Sequence, residues 1–203
     1  MTIVINGSTN TISGLAVGGL PDGIVDAGTL ASNSVETAKI AANAVTAAKR
    51  GEHAILQVVT ATNTTNVAVT SSTYTTFITA NITPTAQNSK YIVVVTTGIY
   101  MSETGSQSHY GGGWTLSRDI GGRSVHGLVG DPNDSNGPYG HFYYNQADGQ
   151  TGAISTKIGY DSPNTTSTLT YYASGRPYYG TGNSIRFGET SDSQIVIYEV
   201  AGS

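Results

Sequence analysis

No aromatic residue occurs in the first 50 positions; all 13 tyrosines, all 3 phenylalanines and the single Trp114 come later. Aromatic side chains carry much of the buried area of a small core. A chain with this distribution can build such a core only from its C-terminal part. It divides into an Ala- and Gly-rich segment, 1–52, that needs a partner surface, and a candidate globular head, 53–203.

The head reads as mainly β. Only 11% of the 203 residues are charged, about half the roughly 25% of a soluble domain. Thr, at 29 residues, and Tyr solvate the chain with hydroxyls instead of ions, which suits pleated surfaces. Strand patterns fall at 54–60, 67–69, 74–82, 90–100, 113–118, 123–129, 153–160, 167–173, 184–187 and 194–200, separated by turn signals. Pro84 stops one strand, 86–89 is a turn, Gly121-Gly122 is a hairpin turn and 130–141 is a loop. So many short strands predict a two-sheet antiparallel sandwich, jelly-roll-like.

The N-terminal segment contains a ten-residue repeat. Residues 31–40 align with 41–50 at Ala31/Ala41, Asn33/Asn43, Val35/Val45, Ala38/Ala48 and Lys39/Lys49, and Val25 and Leu30 fall in phase ahead of them. Val35, Ala38, Ala42 and Val45 run at three-and-four spacing, Asn33 and Glu36 form a capping-box variant, and Gly51 can close the segment. These signals predict a short helical stalk over 34–49. One helical turn and a bend per repeat is the competing arrangement. The stripe Val25, Leu30, Val35, Ala38, Ile40, Ala42 and Val45 is the candidate oligomerisation surface, because small residues let identical chains approach closely. An amphipathic helix lying on the β domain would use the same stripe. Residues 1–23, with five glycines and Pro21, read as an extended arm.

Several function classes are disfavoured. Nine Lys+Arg against thirteen Asp+Glu give no basic patch for nucleic acid. The apolar runs are strand-length, too short for membrane insertion as a helix, and no secretory signal pattern begins the chain. Cysteine is absent, which removes disulfides, thiolate metal sites and thiol nucleophiles. Nucleophile-elbow, zincin and Walker motifs are missing, and Gly111, Gly112 and Gly113 read as a flexible turn. His53, His109, His126 and His141 have no diagnostic spacing, so no metal ligand or cofactor is assigned. Asp119, Asp131, Asp134, Asp148 and Asp161 sit beside Asn, Gly and Pro, where Asp caps local backbone amides. The chain is read as a non-enzyme.

The recognition signal is aromatic. Tyr110, Trp114, Tyr139, His141, Phe142, Tyr143, Tyr144, Tyr178 and Tyr179 cluster around the Gly-, Ser- and Asn-rich loops, a composition that makes adaptable binding surfaces. Alternate members, Trp114 and Tyr143 among them, fit a core or a subunit interface equally well.

The segments Asn33-Ser-Val-Glu-Thr-Ala-Lys-Ile40 and Asn43-Ala-Val-Thr-Ala-Ala-Lys49 resemble the Val-Thr-x-Ala-Lys-Ile repeats of bacteriophage tail-fibre and other virion proteins, notably from marine and cyanobacterial phages. Leu116-Ser-Arg-Asp-Ile-Gly-Gly122, Tyr160-Asp-Ser-Pro-Asn-Thr-Thr166, Leu169-Thr-Tyr171 and the closing strand from Ile195 are similar to a β-sandwich domain at the ends of such proteins. The resemblance covers roughly 25–50 and 86–203. It implies a homotrimeric fibre in the virion, attached to other virion proteins through residues 1–50, with a distal head that binds a host surface glycan or protein. Residues 119–122 depart from the family turn, and 101–113 and 130–152 are longer than usual, so the resemblance does not transfer a ligand. A capsid decoration or baseplate protein without a receptor is the alternative. A polysaccharide-degrading spike is a third reading.

Overall fold

The computed structural model describes residues 4–9, 11–13, 32, 35–42, 44–45, 49–103, 110–120, 123–129, 142–144, 150–177 and 183–202. The chain divides into two compact units, Met1–Thr46 and Ala47–Ser203.

In the first unit, β1 (Val4–Asn6) and β2 (Thr11–Ser13) form an antiparallel hairpin. The Asn6 side-chain oxygen accepts the amides of Ser8 and Thr9 at 3.0 and 3.3 Å, the local bonding that makes Asn a turn residue. The helix expected over 34–49 does not form among the described residues. A 3₁₀ turn, Thr37–Lys39, stands there instead, flanked by Glu36 and Ile40 in extended backbone. A further turn closes where the Ala44 amide donates to the Ala41 carbonyl at 2.9 Å. The turn-and-bend arrangement therefore describes this stretch. Short helices in water depend on packing an apolar face, and residues 35–42 are exposed throughout. Glu36 does not cap with its side chain. Asn33 lies outside the described residues.

The second unit is an antiparallel β-sandwich. Its first sheet is built on β6 (Lys90–Glu103), whose Val- and Ile-rich sequence places Val93, Val95, Ile99 and Met101 in the core. β10 (Gln150–Asp161) runs along one edge of β6, from Gln150 opposite Ser102 to Asp161 opposite Tyr91. Two strands share the other edge. β13 (Ser193–Val200) pairs with Lys90–Thr96 and β12 (Asn183–Phe187) with Ile99–Glu103. β3 (Ile55–Asn63) lies outside β13, and β4 (Val67–Val69) outside β12. The second sheet runs β5 (Thr75–Ile82), β11 (Leu169–Pro177), β7 (Tyr110–Ile120), with β8 (Arg123–Val129) and β9 (Phe142–Tyr144) both on the outer edge of β7. Strands distant in sequence are neighbours, as β3 and β13 are, which is the crossover pattern of a jelly-roll-like sandwich.

The core between the sheets is aromatic at its centre. Phe77 stacks on Phe187 with ring centroids 4.1 Å apart, and Trp114 meets Phe77 edge-on at 5.7 Å. Gly111, Gly112 and Gly113, expected as a turn, continue β7 instead. A Cβ on Gly112 would stand 2.8 Å from both the Arg176 carbonyl and the Ile185 side chain. Side-chain-free residues let the strand approach its neighbours here.

Candidate functional site

Two cross-sheet contacts fix how the ends of the sheets correspond. At one end, Arg118 of β7 meets Asp161 of β10 at 2.5 Å. Towards the other, Gly112 of β7 lies against Ile185 of β12, which pairs with Met101 of β6. Register then places Glu103, Tyr110, Tyr144, Gln150, Pro177 and Asn183 together at the second end. These are the strand ends between which residues 104–109, 145–149 and 178–182 connect. β8 runs antiparallel to β7 toward the same end, from Arg123 opposite Ile120 to Val129 opposite Leu116, before residues 130–141. Residues 104–109, 145–149 and 178–182 thus join strand ends at one end of the sandwich, while 130–141 join Val129, opposite Leu116, to Phe142, opposite Gly112, along the outer edge of β7. The chain enters β3 at the opposite end, where the Ala201 amide donates to the Ala54 carbonyl at 2.9 Å.

The expected recognition residues divide accordingly. Tyr110, Tyr143 and Tyr144 lie on paired strands at the loop-bearing end, Tyr110 opposite Tyr144 and Gly111 opposite Tyr143; β9 was not expected as a strand. Tyr139, His141, Tyr178 and Tyr179 lie outside the described residues. Trp114 leaves the set: it is completely buried. Its indole N–H donates to Ser155 at 3.1 Å, and its position between Phe77 and β10 makes it a core residue. In the oligomerisation stripe, Val35, Ala38, Ile40, Ala42 and Val45 are exposed, while Val25 and Leu30 lie outside the described residues.

The end at which the chain enters carries a cleft of about 460 Å³ between 51–56, 85–88 and 201–202. Thr85, in its lining, also donates to Glu199, a fully buried carboxylate. Glu199 accepts the Thr85 amide at 2.7 Å, the Thr85 hydroxyl at 2.8 Å, the Ser89 hydroxyl at 2.5 Å and the Gln57 side-chain amide at 2.6 Å. Burial alone would raise its pKa; the hydrogen bonds from Ser89, Gln57 and Thr85 outweigh it and hold it below the ordinary value. Nearby, Tyr91 is pushed well above the usual phenol range by burial and by the Glu199 charge.

A second buried carboxylate, Asp161, pairs with Arg118 and accepts the Tyr171 hydroxyl at 2.9 Å. Asp161 also accepts the Ser162 amide at 2.9 Å, so the expected turn role is only part of what it does. Both carboxylates are occupied in holding strands and loops. Among the described residues no cluster of three His, Cys, Asp or Glu forms a metal site, and no helix is long and apolar enough to cross a membrane.

Sequence reasoning missed one surface. On β10, Ile154, Ile158 and Tyr160 are 66%, 53% and 75% exposed, while Ser155 and Lys157 turn toward Trp114. The apolar members of the alternating run face outward and the polar members face inward, the reverse of a half-buried strand. Alternation alone reveals the two faces but not which one is covered.

No protein-family model and no curated protein matches the sequence. A solved structure described as "Structure of Eiger TNF from S. frugiperda" is similar over 55% of this chain and 60% of that one, at 13% identity and a TM-score of 0.30. The chain thus matches less than two thirds of that structure's length.

Proposed function

We propose that the chain is a non-enzymatic virion protein of a bacteriophage, a homotrimeric tail-fibre or head-fibre subunit whose head adheres to a glycan or protein of the host surface. The observation that carries the reading is the convergence of the strand ends bearing residues 104–109, 145–149 and 178–182 on the end of the sandwich away from the incoming chain. A scaffold that gathers Tyr-, Gly- and Asn-rich loops at one end suits recognition. Residues 1–50 join the head to other virion proteins, with the repeat knitting the stalk. Three weak sites per fibre give avidity without a tight single site.

Fluorescently labelled full chain, incubated with host cells, tests this reading. Saturable binding that competes with phage adsorption is expected. The paired substitutions Tyr139→Ala with His141→Ala, and Tyr178→Ala with Tyr179→Ala, each weaken it at least tenfold. Absence of binding, or equal binding by both variants, sinks the receptor role. A capsid decoration or baseplate role is the second reading, favoured by the uncovered apolar sheet face, which a neighbour in a particle would bury. Electron microscopy of the intact particle separates the two by location, and release of reducing sugar from envelope polysaccharide would argue for a degrading spike.

A further inference from the structure

The outer face of the first sheet is apolar where a monomer would be polar. Strand register lays it out in rows across β3, β13, β6 and β10. Val58, Tyr198, Ile92 and Tyr160 form one row; Thr60, Val196, Val94 and Ile158 form the next. The third is Thr62, Gln194, Thr96 and Thr156, and Ile154 continues the face beyond it. None of these positions is charged.

We infer that this face is a homotypic interface, buried against a second copy of the same chain. Tyr160, Ile154, Ile158 and Val58, at 75%, 66%, 53% and 49% exposure, leave roughly 400–500 Å² open, the size of the largest apolar patch on a typical monomer, which is often functional. The half-buried Ile92, Val94, Val196 and Tyr198 extend it toward the roughly 800 Å² per partner of a standard interface. The three neutral rows meet a second copy with no like charges opposed across them. It offers no charge to an ionic partner. Thr96 and Thr156 bond each other at 2.9 Å, so those hydroxyls are already engaged.

The edge of the sheet is treated differently from its face. Lys157 of the edge strand β10 points inward, over the Trp114 ring at 4.6 Å. An inward charge on an edge strand obstructs strand-to-strand addition, whereas the three rows of the face are uncharged and the charges of this face, Lys90 and Arg186, lie beyond its two ends. The contact lies within the head and is independent of the 25–45 stripe, so it stands whether or not the fibre reading does.

The chain has no cysteine, so one introduced thiol gives an unambiguous readout. Full chain carrying Thr156→Cys, under mild oxidation, is expected to form a covalent dimer. Thr64→Cys, on an exposed loop away from the face, stays uncoupled under the same conditions. By sedimentation, Ile158→Lys with Tyr160→Lys lowers the association constant at least a hundredfold, with Trp114 fluorescence unchanged. Val35→Lys with Val45→Lys leaves the Thr156→Cys dimer intact. A monomeric wild type, an uncoupled Thr156→Cys chain, or an unshifted Ile158→Lys/Tyr160→Lys chain overturns the inference. Protection of the face in a monomer would instead point to the chain's own residues 1–46 or a foreign ligand.

Discussion

Arg118 on β7 and Asp161 on β10 meet at 2.5 Å with side chains only 8% and 6% exposed, and they belong to different sheets. The same Asp161 oxygen accepts the Tyr171 hydroxyl at 2.9 Å, so one carboxylate ties β7, β10 and β11 together. The pair closes the end of the sandwich at which the chain enters. The loop-bearing end has close glycine-mediated packing instead, with Gly112 against Ile185.

Removing one partner of this pair should be severe. Asp161→Ala leaves the guanidinium buried without a counter-charge and strips the Tyr171 acceptor, a change that costs about 3–5 kcal/mol. Urea unfolding followed by Trp114 fluorescence measures it. Replacing both partners, Arg118→Leu with Asp161→Leu, should recover more than half of the loss. A single-substitution cost under about 1 kcal/mol would show that water screens the pair.

Glu199 sets an acid limit on stability. Its folded-state pKa lies below the ordinary 4.5, so its contribution is full above that value and is lost as pH falls through the folded value. Glu199→Gln replaces an acceptor oxygen with a donor facing Ser89, Thr85 or Gln57, and should cost on the order of 1–3 kcal/mol at pH 7. The gap between wild type and Glu199→Gln should shrink below pH 4.5. Parallel melts at pH 7 and pH 3 read it directly; an unchanged gap would mean that Glu199 keeps its proton balance on folding.

Strand existence was legible in the sequence wherever β-branched runs met turn residues. β4 and β8 occupy the expected positions, and β6 and β13 extend the expected runs by at most a few residues. What local pattern could not supply was tertiary. Ile154, Ile158 and Tyr160 read like core residues, and only the packing of Ser155 and Lys157 against Trp114 shows that β10 is turned over. Trp114 carried the same ambiguity, since an aromatic beside a loop suits a core and a binding site alike. The helix failed for the converse reason: Val35, Ala38, Ala42 and Val45 have the right spacing but are exposed. The glycines at 111–113 are ambiguous because a strand that needs close approach and a turn that needs free backbone use the same residue.

Gly175 is a core position with no room to grow. It sits on β11 between Thr75 and Trp114 in register, and an added Cβ would run into the Phe187 ring. That ring is itself stacked on Phe77 and has no free direction of retreat. Gly175→Ala should cost about 1–3 kcal/mol by overpacking and lower the midpoint of thermal unfolding by several degrees. Adding Phe187→Leu should recover part of the loss if the clash is the cause. A double variant less stable than the sum of the two single changes would place the strain in the backbone instead.

Lys157 should give the opposite pH signature to Glu199. Burial lowers its pKa from 10.5 to about 8, because its stem and ammonium lie against Trp114, whose ring is 4.6 Å away and whose carbonyl accepts from the Nζ. Below pH 8 both folded and unfolded chains carry the charge, and the folded chain bears the desolvation cost. Between 8 and 10.5 the folded chain releases the proton while the unfolded chain keeps it, so stability rises with pH across that window. Tyr91 and Tyr171, both pushed upward by burial, hold their protons there. Their unfolded forms ionise near 10, where stability falls again, which makes pH 7.5–9.5 the interval to read. Wild type should gain stability relative to Lys157→Met over that interval in urea titrations. Parallel curves for the two proteins would mean that the ammonium stays charged in the fold and that the Trp114 contacts compensate its burial.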